Sequence, residues 1–277
     1  MENASWWNNI YDTFDPVAFS IFSLPVHWYG LMYVLALVSA LYIGKYFLKK
    51  DKLDFKEGQL DIFFIYVEVG VILGARLGYI LFYDDNTLYY LTQPWQIFNP
   101  FVNGEFVGIR GMSYHGAVMG FLLGAYLFCK KHKVGFGKIM DLVSISVPLA
   151  FVFGRIGNFL NQELIGRETD VPWGIYVDGI LRHPSQLYEA ILEGFGVFLV
   201  VYFYRKYQRY SGELLLVYGF SYGIFRAIAE IWRAPDEHIG YVCCDMITQG
   251  QVMSLGMSAL ALVLWFYYDA KAKRMKI

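Results

Sequence analysis

Long apolar runs recur along this 277-residue chain, and they constrain its fold more than any other feature. Apolar residues make up 57% of the sequence and charged residues only 17%, which separates it from ordinary soluble domains. A helix needs about 20 apolar residues to cross a bilayer. Seven segments approach this length: about 27–48, 61–83, 114–129, 138–158, 184–204, 213–232 and 247–268. The sequence therefore predicts an all-α membrane protein with seven transmembrane helices, in a single polytopic domain over residues 1–277.

The basic residues predict the orientation of these segments. Lysine and arginine cluster directly after the first, third, fifth and seventh segments: Lys49, Lys50, Lys52 and Lys56; Lys130, Lys131, Lys133 and Lys138; Arg205, Lys206 and Arg209; Lys271, Lys273, Arg274 and Lys276. The opposite side carries few basic residues, among them Arg110, Arg167 and Arg182. Because basic loops stay inside, the N-terminus is expected outside and the C-terminus in the cytoplasm. Residues 84–113 then belong to a small extracytoplasmic, aromatic-rich loop region, and residues 1–26 lack the pattern of a cleavable signal peptide.

Two of the apolar segments carry glycine at every fourth position. The second segment has Gly70, Gly74 and Gly78, and the third has Gly116, Gly120 and Gly124. Small residues at this spacing form a smooth ridge along one side of a membrane helix. The sequence therefore predicts that the backbones of these helices approach other helices closely.

The most abrupt change of polarity follows directly on an apolar segment. Residues 139–153 contain one charged residue, Asp141, whereas residues 154–167 read Gly-Arg-Ile-Gly-Asn-Phe-Leu-Asn-Gln-Glu-Leu-Ile-Gly-Arg. Polar and charged groups at membrane depth are costly. A cluster of them at the end of a span is therefore a functional-site candidate by default.

The predicted topology places further polar side chains in the same outer half of the bilayer. Arg155 and Asn158 close the fourth segment, whereas Arg226, Glu230 and Arg233 lie late in the sixth, at spacings of four and three residues. A cation inside a span costs about 2.5–3.5 kcal/mol, so these arginines need a compensating interaction. Two interpretations stay open: an ion-pair network that holds helices together, or an anion site in which the guanidinium fork binds phosphate oxygens.

Two side chains near the outer start of a span are also candidates. His115 opens the third segment. Histidine titrates near neutral pH, so it could act as a base toward a thiol, whose pKa is about 8.5. The other interpretation is a histidine satisfied by packing at the interface. Tyr29, near the start of the first segment, is either a donor to a bound anion or a member of an interfacial aromatic belt.

Composition and motif content argue against several other classes. The three cysteines, Cys129, Cys243 and Cys244, are too few and too poorly spaced for a disulfide framework or a zinc site. No dedicated metal-ligand set and no phosphate-loop or hydrolase motif occurs, so no metal and no cofactor are expected. The net charge of -1 gives no indication of nucleic-acid binding.

Several of these stretches together resemble a known family. Residues 154–166 read G-R-x-G-N-F-x-N-x-E-x-x-G, which is similar to the signature of the prolipoprotein diacylglyceryl transferases. The other similar stretches are residues 26–30, 112–116, 182–189, 225–226 and 233–236. The resemblance thus extends over nearly the whole chain. One departure is Ala117, where the family commonly has a second glycine after the histidine.

The resemblance implies an activity and its substrates. Members of this family transfer the diacylglyceryl group of phosphatidylglycerol to the thiol of the lipobox cysteine in a prolipoprotein signal peptide. This reaction forms a thioether and releases glycerol phosphate. The implied protein is a multi-pass transferase of the bacterial plasma (inner) membrane, in contact with membrane lipid, that acts in lipoprotein biosynthesis by protein lipidation.

The resemblance also implies roles for individual residues. The implied catalytic residues are His115 as base and Arg155 and Arg226 as ligands of the departing phosphate. The implied substrate-binding residues are Tyr29, Asn158, Glu163, Gly166, Glu230 and Arg233.

The alternative interpretation is a membrane anion carrier or channel with the same arginines along its path. That function would require charged residues across the whole bilayer, whereas the inner half has mainly Glu68 and Asp141.

Overall fold

A computed structural model describes residues 5–275, except 23, 52, 54, 57, 103, 107, 109–110, 236–240 and 244–246. Of the residues named above, Lys52, Arg110, Asp236, Cys244 and Lys276 lie outside this described part. The described chain is mostly helical, with α1 (Trp28–Lys50), α2 (Gln59–Phe82), α3 (Thr87–Thr92), α4 (Tyr114–His132), α5 (Phe136–Leu160), α6 (Ser185–Glu189), α7 (Val197–Tyr204), α8 (Glu213–Ala229) and α9 (Gln249–Met275). Short 3₁₀ turns occur at Ile10–Thr13, Pro94–Phe98 and Arg205–Tyr207, and a π-helix, Ala190–Gly196, joins α6 to α7.

Apolar composition accounts for the long helices. Within the described residues, 4 helical segments are long and apolar enough to cross a membrane: Trp28–Lys50, Phe136–Leu160, Ser185–Tyr207 and Gln249–Arg274. The prediction of a mostly helical protein with membrane-length helices is therefore confirmed. The seven-span topology and its orientation stay predictions.

The prediction of an all-α fold is too narrow, because the connecting segments contain strands. The part of the chain that the structure describes contains four antiparallel pairs: β1 (Val17–Ile21) with β2 (Leu24–His27), β3 (Phe101–Val102) with β4 (Glu105–Phe106), β5 (Ile175–Val177) with β6 (Ile180–Arg182), and β7 (Tyr241–Cys243) with β8 (Ile247–Thr248). Backbone N–H and C=O groups that leave a helix need new partners, and a hairpin supplies them locally. Strands this short carry too little periodicity to be recognised in the sequence.

Residues 51–139 form one compact unit, built on α2 and α4. The two glycine ridges of this unit face each other. A Cβ atom added to Gly74 would lie 2.8 Å from Cα of Gly120, and one added to Gly78 would lie 2.8 Å from Cα of Gly116. No larger residue fits at these distances, so the predicted close approach of helix backbones is confirmed.

Arg76 of α2 holds the following loop of the same unit in place. Its Nε atom donates to the carbonyl oxygen of Ile97 at 2.5 Å, and Nη1 donates to the carbonyl oxygen of Gly111 at 3.1 Å. Its guanidinium carbon also lies 5.3 Å from the ring centroid of Tyr90. These contacts explain why an arginine stands late in an apolar helix.

Residues 1–50 and 140–277 form the second compact unit. Its N-terminal segment packs onto the loop that follows α5. The Asn8 amide nitrogen donates to the carbonyl oxygens of Pro172 at 3.0 Å and Gly174 at 2.7 Å. Tyr11 packs against Phe159, with ring centroids 5.2 Å apart. The aromatic residues that precede the first span thus build a small core beside the polar stretch.

A polar cluster closes one end of this unit, where α5 and α8 begin. The Asp141 carboxylate accepts hydrogen bonds from the Gly212 backbone nitrogen at 2.7 Å and the Leu214 backbone nitrogen at 2.9 Å. The Glu213 carboxylate accepts from the Trp265 indole at 2.9 Å and from Arg209, whose Nη2 lies 2.5 Å away. Hydrogen bonding to Glu213 raises the pKa of the Arg209 guanidinium. We call this set the Asp141–Glu213 cluster.

Candidate active site

Arg155 lies in the last turns of α5, and two carboxylates hold its guanidinium group. Its Nε atom is 2.9 Å from Oε2 of Glu189, and Nη2 is 3.8 Å from Oε2 of Glu193. The ring centroid of Phe151 lies 4.7 Å from the guanidinium carbon. These contacts supply the compensating interactions that a cation at the end of an apolar helix requires.

Arg226, in the last turn of α8, reaches the same carboxylates. Its Nη1 atom is 3.5 Å from Oε1 of Glu189 and 3.5 Å from Oε1 of Glu193. Its Nη2 atom is 2.6 Å from Oε2 of Glu230, four residues further along the chain. The arginines of α5 and α8 therefore meet at one pair of glutamates.

Arg233 brings a third guanidinium group to the same place. Its Nη1 atom lies 3.4 Å from Oε1 of Glu189. The Thr248 hydroxyl donates to Oε1 of Glu230 at 3.0 Å and so holds the carboxylate that pairs with the α8 arginine. We call this set the arginine cluster, and it comprises Arg155, Arg226, Arg233, Glu189, Glu193 and Glu230.

The arginine side chains are the most accessible part of the arginine cluster. The side chains of Arg155 and Arg226 keep 14% and 15% of their surface exposed, whereas Glu189 and Glu193 keep 0%. A ligand that reaches the cluster therefore meets the arginine side chains before it meets the fully buried Glu189 and Glu193. The planar fork of N–H donors on a guanidinium group matches the oxygens of a phosphate group.

Glu189 and Glu193 are candidates that the sequence-based prediction missed. Glu189 was only the last residue of the family-like stretch 182–189, and Glu193 was not selected. A signal was present, because two carboxylates stand four residues apart inside the apolar segment 184–204. Such spacing puts both on one helix face, and intramembrane acids are functional candidates.

The polar stretch after α5 folds back onto the arginine cluster. Nη1 of Arg155 lies 3.4 Å from Oδ1 of Asn158, to which it donates. The Asn158 amide nitrogen in turn donates to Oε1 of Glu163 at 2.6 Å, and Asn161 donates to Oε2 of Glu163 at 3.1 Å. Asn158 and Glu163 thus form a hydrogen-bonded chain that leads away from the α5 arginine.

The turn that carries Glu163 is anchored from α6. Gln162 and Leu164 adopt left-handed backbone conformations, with φ of 55° and 58°. The side chain of Gln186 donates to the carbonyl oxygen of Glu163 at 2.6 Å, and the Ser185 hydroxyl donates to that of Leu164 at 3.1 Å. These bonds hold a backbone conformation that non-glycine residues rarely adopt.

Gly166 lies between two backbone segments and supports the third arginine. It pairs with Arg233 in an antiparallel bridge. A Cβ atom at this position would lie 2.9 Å from the Trp232 carbonyl oxygen and 2.9 Å from Cβ of His183. Only glycine fits without displacing the backbone that carries Arg233. A direct substrate contact by Gly166 stays a prediction.

Tyr29 lies at the start of α1, next to the polar end of α5. A Cβ atom added to Gly157 would lie 3.3 Å from the Tyr29 ring. Gly157 directly precedes Asn158. The exposed Tyr29 ring therefore lies close to the hydrogen-bonded series of side chains from Arg155 through Asn158 to Glu163. The structure thus brings Tyr29 near the arginine cluster, and its predicted contact with substrate stays a prediction.

His183 lies just before α6, beside Gly166. Its Nδ1 atom is 3.2 Å from the Tyr188 hydroxyl. Burial lowers the pKa of the His183 imidazole, although the nearby Asp170 carboxylate acts in the opposite direction. This histidine therefore favours its neutral form more strongly than an exposed one does.

His115 belongs to the other unit, residues 51–139, where it is the second residue of α4. Its side chain is exposed, and Nδ1 lies 3.4 Å from the Tyr83 hydroxyl. It borders an open apolar groove that runs along the packed pair of α2 and α4, with exposed side chains such as Leu77, Met119 and Leu123 along it. The imidazole is thus accessible for proton transfer, and its role as a base stays a prediction.

These features define a helical membrane protein with a partly accessible arginine cluster at one end of its long helices. The family model for prolipoprotein diacylglyceryl transferase matches residues 16–267, so the chain belongs to this family.

Relatives with curated names agree over nearly the full length. The chain is 62% identical over 262 residues to a phosphatidylglycerol--prolipoprotein diacylglyceryl transferase of Campylobacter lari, which covers 95% of this chain and 96% of the relative. A protein of the same name from Wolinella succinogenes is 60% identical over 271 residues, which covers 98% of this chain and 99% of the relative. The similarity therefore includes both compact units.

Proposed function

We propose that this chain is an enzyme that transfers the diacylglyceryl group of phosphatidylglycerol to the cysteine thiol of a prolipoprotein lipobox. The names of relatives about 60% identical over the full length support this function. In the reaction, the sulfur forms a C–S bond with the glycerol carbon that carries the phosphate. The C–O bond to the phosphate breaks, the thiol proton is removed, and glycerol phosphate leaves.

The convergence of partly exposed arginine side chains in the arginine cluster is the observation that carries this proposal on the structural side. Breaking the C–O bond places additional negative charge on the departing phosphate. Preorganised cations at that position stabilise the transition state more than the ground state. Arg155 and Arg226 come from two helices to one carboxylate pair, with 14% and 15% of their surfaces exposed. Together they provide two donor forks for a single phosphate group.

The neighbouring residues fit roles in holding the lipid headgroup. Asn158 and Glu163, joined by a 2.6 Å hydrogen bond, present polar groups suited to the glycerol hydroxyls and to orienting Arg155. Glu230 holds Arg226 at 2.6 Å. Arg233, whose Nη1 atom lies 3.4 Å from Oε1 of Glu189, adds a third guanidinium group, and the Tyr29 ring lies near Gly157, next to Asn158 in the sequence.

His115 fits the role of general base. A thiolate is a far better nucleophile than a thiol, so proton removal assists the attack. Every glutamate of the arginine cluster already lies within ion-pair distance of a guanidinium group. The exposed imidazole of His115 has no such ion pair among the described contacts.

The proposed reaction also fits the predicted topology. With seven spans and an external N-terminus, Arg155 and Arg226 lie near the outer face of the bacterial plasma membrane. A lipid of the outer leaflet and a secreted prolipoprotein, still attached to its signal helix, both reach this face. An anion carrier or channel gains no support from the relatives, whose names describe transferases.

A reconstituted transfer assay tests the proposal. Purified protein, phosphatidylglycerol and a lipobox peptide should yield a peptide whose mass increases by one diacylglyceryl group. Two controls should give no product: phosphatidylethanolamine in place of phosphatidylglycerol, and a peptide with serine in place of the lipobox cysteine. Folded protein that gives no product but releases a trapped anion from vesicles would contradict the transferase and support the carrier.

A further inference from the structure

The helical segment that carries Glu189 and Glu193 has an irregular backbone. The π-helix Ala190–Gly196 interrupts the membrane-length segment Ser185–Tyr207. π-helical turns are rare and frequently occur at functional sites. Glu193 lies in the middle of this π-helix, so the position of its carboxylate depends on the irregular turn.

Two glycines bring the π-helix against both helices that carry arginines. A Cβ atom on Gly194 would lie 3.3 Å from the backbone nitrogen of Val152 in α5. A Cβ atom on Gly196 would lie 3.4 Å from the ring of Phe225, the residue before the α8 arginine. The π-helix therefore contacts α5 and α8 closely, and Glu193 directly precedes the glycine that faces α5.

Each oxygen of the Glu193 carboxylate faces a different arginine. Oε2 lies 3.8 Å from Nη2 of Arg155, and Oε1 lies 3.5 Å from Nη1 of Arg226. Other glutamates hold these arginines more tightly, Glu189 at 2.9 Å from Arg155 and Glu230 at 2.6 Å from Arg226. Glu193 thus sits between the two guanidinium groups as a fully buried negative spacer.

We propose that Glu193 is a positioning residue that sets the separation of Arg155 and Arg226 and moderates their affinity for phosphate. This inference rests on the proposed transferase function. The π-helix places the carboxylate between the arginines, so that both donor forks point to the same phosphate group. Glu193 itself lies behind the guanidinium groups and does not touch the substrate.

The charge balance of the arginine cluster explains how Glu193 would moderate the affinity for phosphate. Arg155, Arg226 and Arg233 carry three positive charges, and Glu189, Glu193 and Glu230 carry three negative charges. Loss of the Glu193 charge leaves one net positive charge in surroundings of low polarity, which strengthens the binding of an anion. A product anion would then leave more slowly, while less precise spacing of the arginines would slow the chemical step.

The variant Glu193→Gln tests this inference, since glutamine keeps the size and one carbonyl oxygen but removes the charge. The measurements are kcat for peptide modification and Ki for glycerol phosphate as a product inhibitor. We expect kcat to fall about tenfold or more and Ki to fall about tenfold. A change in the amount of folded enzyme moves neither constant when rates are expressed per folded molecule.

Two further variants complete the experiment. Glu213→Gln is the matched control, because Glu213 is also fully buried and ion-paired, but at the other end of α8. It should leave kcat and Ki unchanged. Glu193→Asp keeps the charge but shortens the side chain, so kcat should fall while Ki stays near the wild-type value. If Glu193→Gln does not fold, this variant tests the positioning role in its place.

The outcomes separate this inference from the proposed function. Wild-type protein that performs no transfer refutes the transferase proposal itself. Active wild type together with a Glu193→Gln variant in which kcat and Ki do not both fall overturns the positioning role alone.

Discussion

Two buried polar clusters of the same unit lie at opposite ends of α5 and α8, about 20 Å apart along each helix, and they are built differently. In the Asp141–Glu213 cluster the carboxylates are central, and short bonds from backbone and neutral donors surround them. Its cation, Arg209, is peripheral and 39% exposed. In the arginine cluster the carboxylates are buried behind the cations, and several contacts are as long as 3.4–3.8 Å.

This difference is the one expected between a structural site and the ligand site that we propose. A carboxylate surrounded by close donors has its hydrogen-bonding capacity satisfied, and it fixes the ends of the helices that supply those donors. Guanidinium groups at longer distances retain donor capacity on their accessible side. We infer that the first arrangement stabilises the fold, and we propose that the second provides cations for an anion.

The largest expected effect comes from replacing His115, the proposed general base, which is not part of the arginine cluster. His115→Asn should lower transfer at neutral pH by roughly 10²–10⁴-fold, the usual contribution of a general base. Part of this loss should disappear as the pH approaches the thiol pKa of about 8.5, where the substrate ionises unaided.

The matched control for that variant is His132→Asn at the other end of α4, where the imidazole stacks on Phe128 with ring centroids 4.7 Å apart. It should transfer at the wild-type rate. Wild-type turnover by His115→Asn at every pH would show that a group of the arginine cluster, or hydroxide, takes the proton, and the comparison of the two clusters would then need revision.

Lysine substitutions distinguish geometry from charge in the two clusters. Arg155→Lys and Arg226→Lys keep the charge but lose the planar fork, so each should cost about 1.5–3 kcal/mol in the transition state, or roughly 10- to 150-fold in turnover. Thermal stability in detergent should largely persist.

Arg209→Lys is the corresponding change in the Asp141–Glu213 cluster, and it should leave turnover per folded molecule unchanged. Normal transfer by both lysine variants of the arginine cluster would exclude a phosphate-binding role. Loss of the folded protein in both would instead favour a network that only holds helices together.

Asp141→Asn should affect stability without affecting transfer. The backbone nitrogens of Gly212 and Leu214 donate to different oxygens of the carboxylate, and an asparagine would turn its N–H donors toward one of the two. We expect a loss of about 1–3 kcal/mol in the free energy of unfolding, measured in detergent. A variant of unchanged stability but reduced kcat would show that the Asp141–Glu213 cluster takes part in function.

Accessibility labelling perturbs the protein least and tests whether the clusters lie toward opposite faces of the membrane. In a background without the native cysteines, an impermeant reagent added outside should label cysteines introduced at Asp12 and Asn86. It should fail at Lys131 and Lys206, all four being exposed side chains. The reverse labelling pattern would invert the topology and place the arginine cluster at the cytoplasmic face.

Much of this fold is encoded in local sequence, because apolar length and glycine spacing act within one helix or one helix pair. For that reason, the glycine ridge from Gly70 to Gly78 could be predicted from the sequence alone. The sequence also indicates the hairpin of β5 and β6 through the dipeptide Asp178-Gly179, which is typical of tight turns. Its φ values of 51° and 77° suit such a turn, although the sequence analysis did not predict this hairpin.

The candidate site was less predictable, because it depends on contacts between helices distant in sequence. Arg155 and Arg226 were recognisable as costly cations, but no local pattern pairs them with Glu189. The position of Glu193 depends on a π-helix, and sequence periodicity does not indicate one. Long-range pairing and backbone irregularity therefore account for the residues that were missed.

The central claim is that the arginine cluster binds the lipid phosphate, and solid-state NMR tests it most directly. In nanodiscs that contain phosphatidylglycerol and protein with ¹⁵N-labelled arginine, dipolar dephasing between guanidinium nitrogen and phosphorus reports direct contact. We predict dephasing in the wild-type protein, clearly weaker dephasing in the double variant Arg155→Lys/Arg226→Lys, and full retention in Arg209→Lys. Dephasing of equal strength in the double variant, or none in the wild type, would contradict the claim.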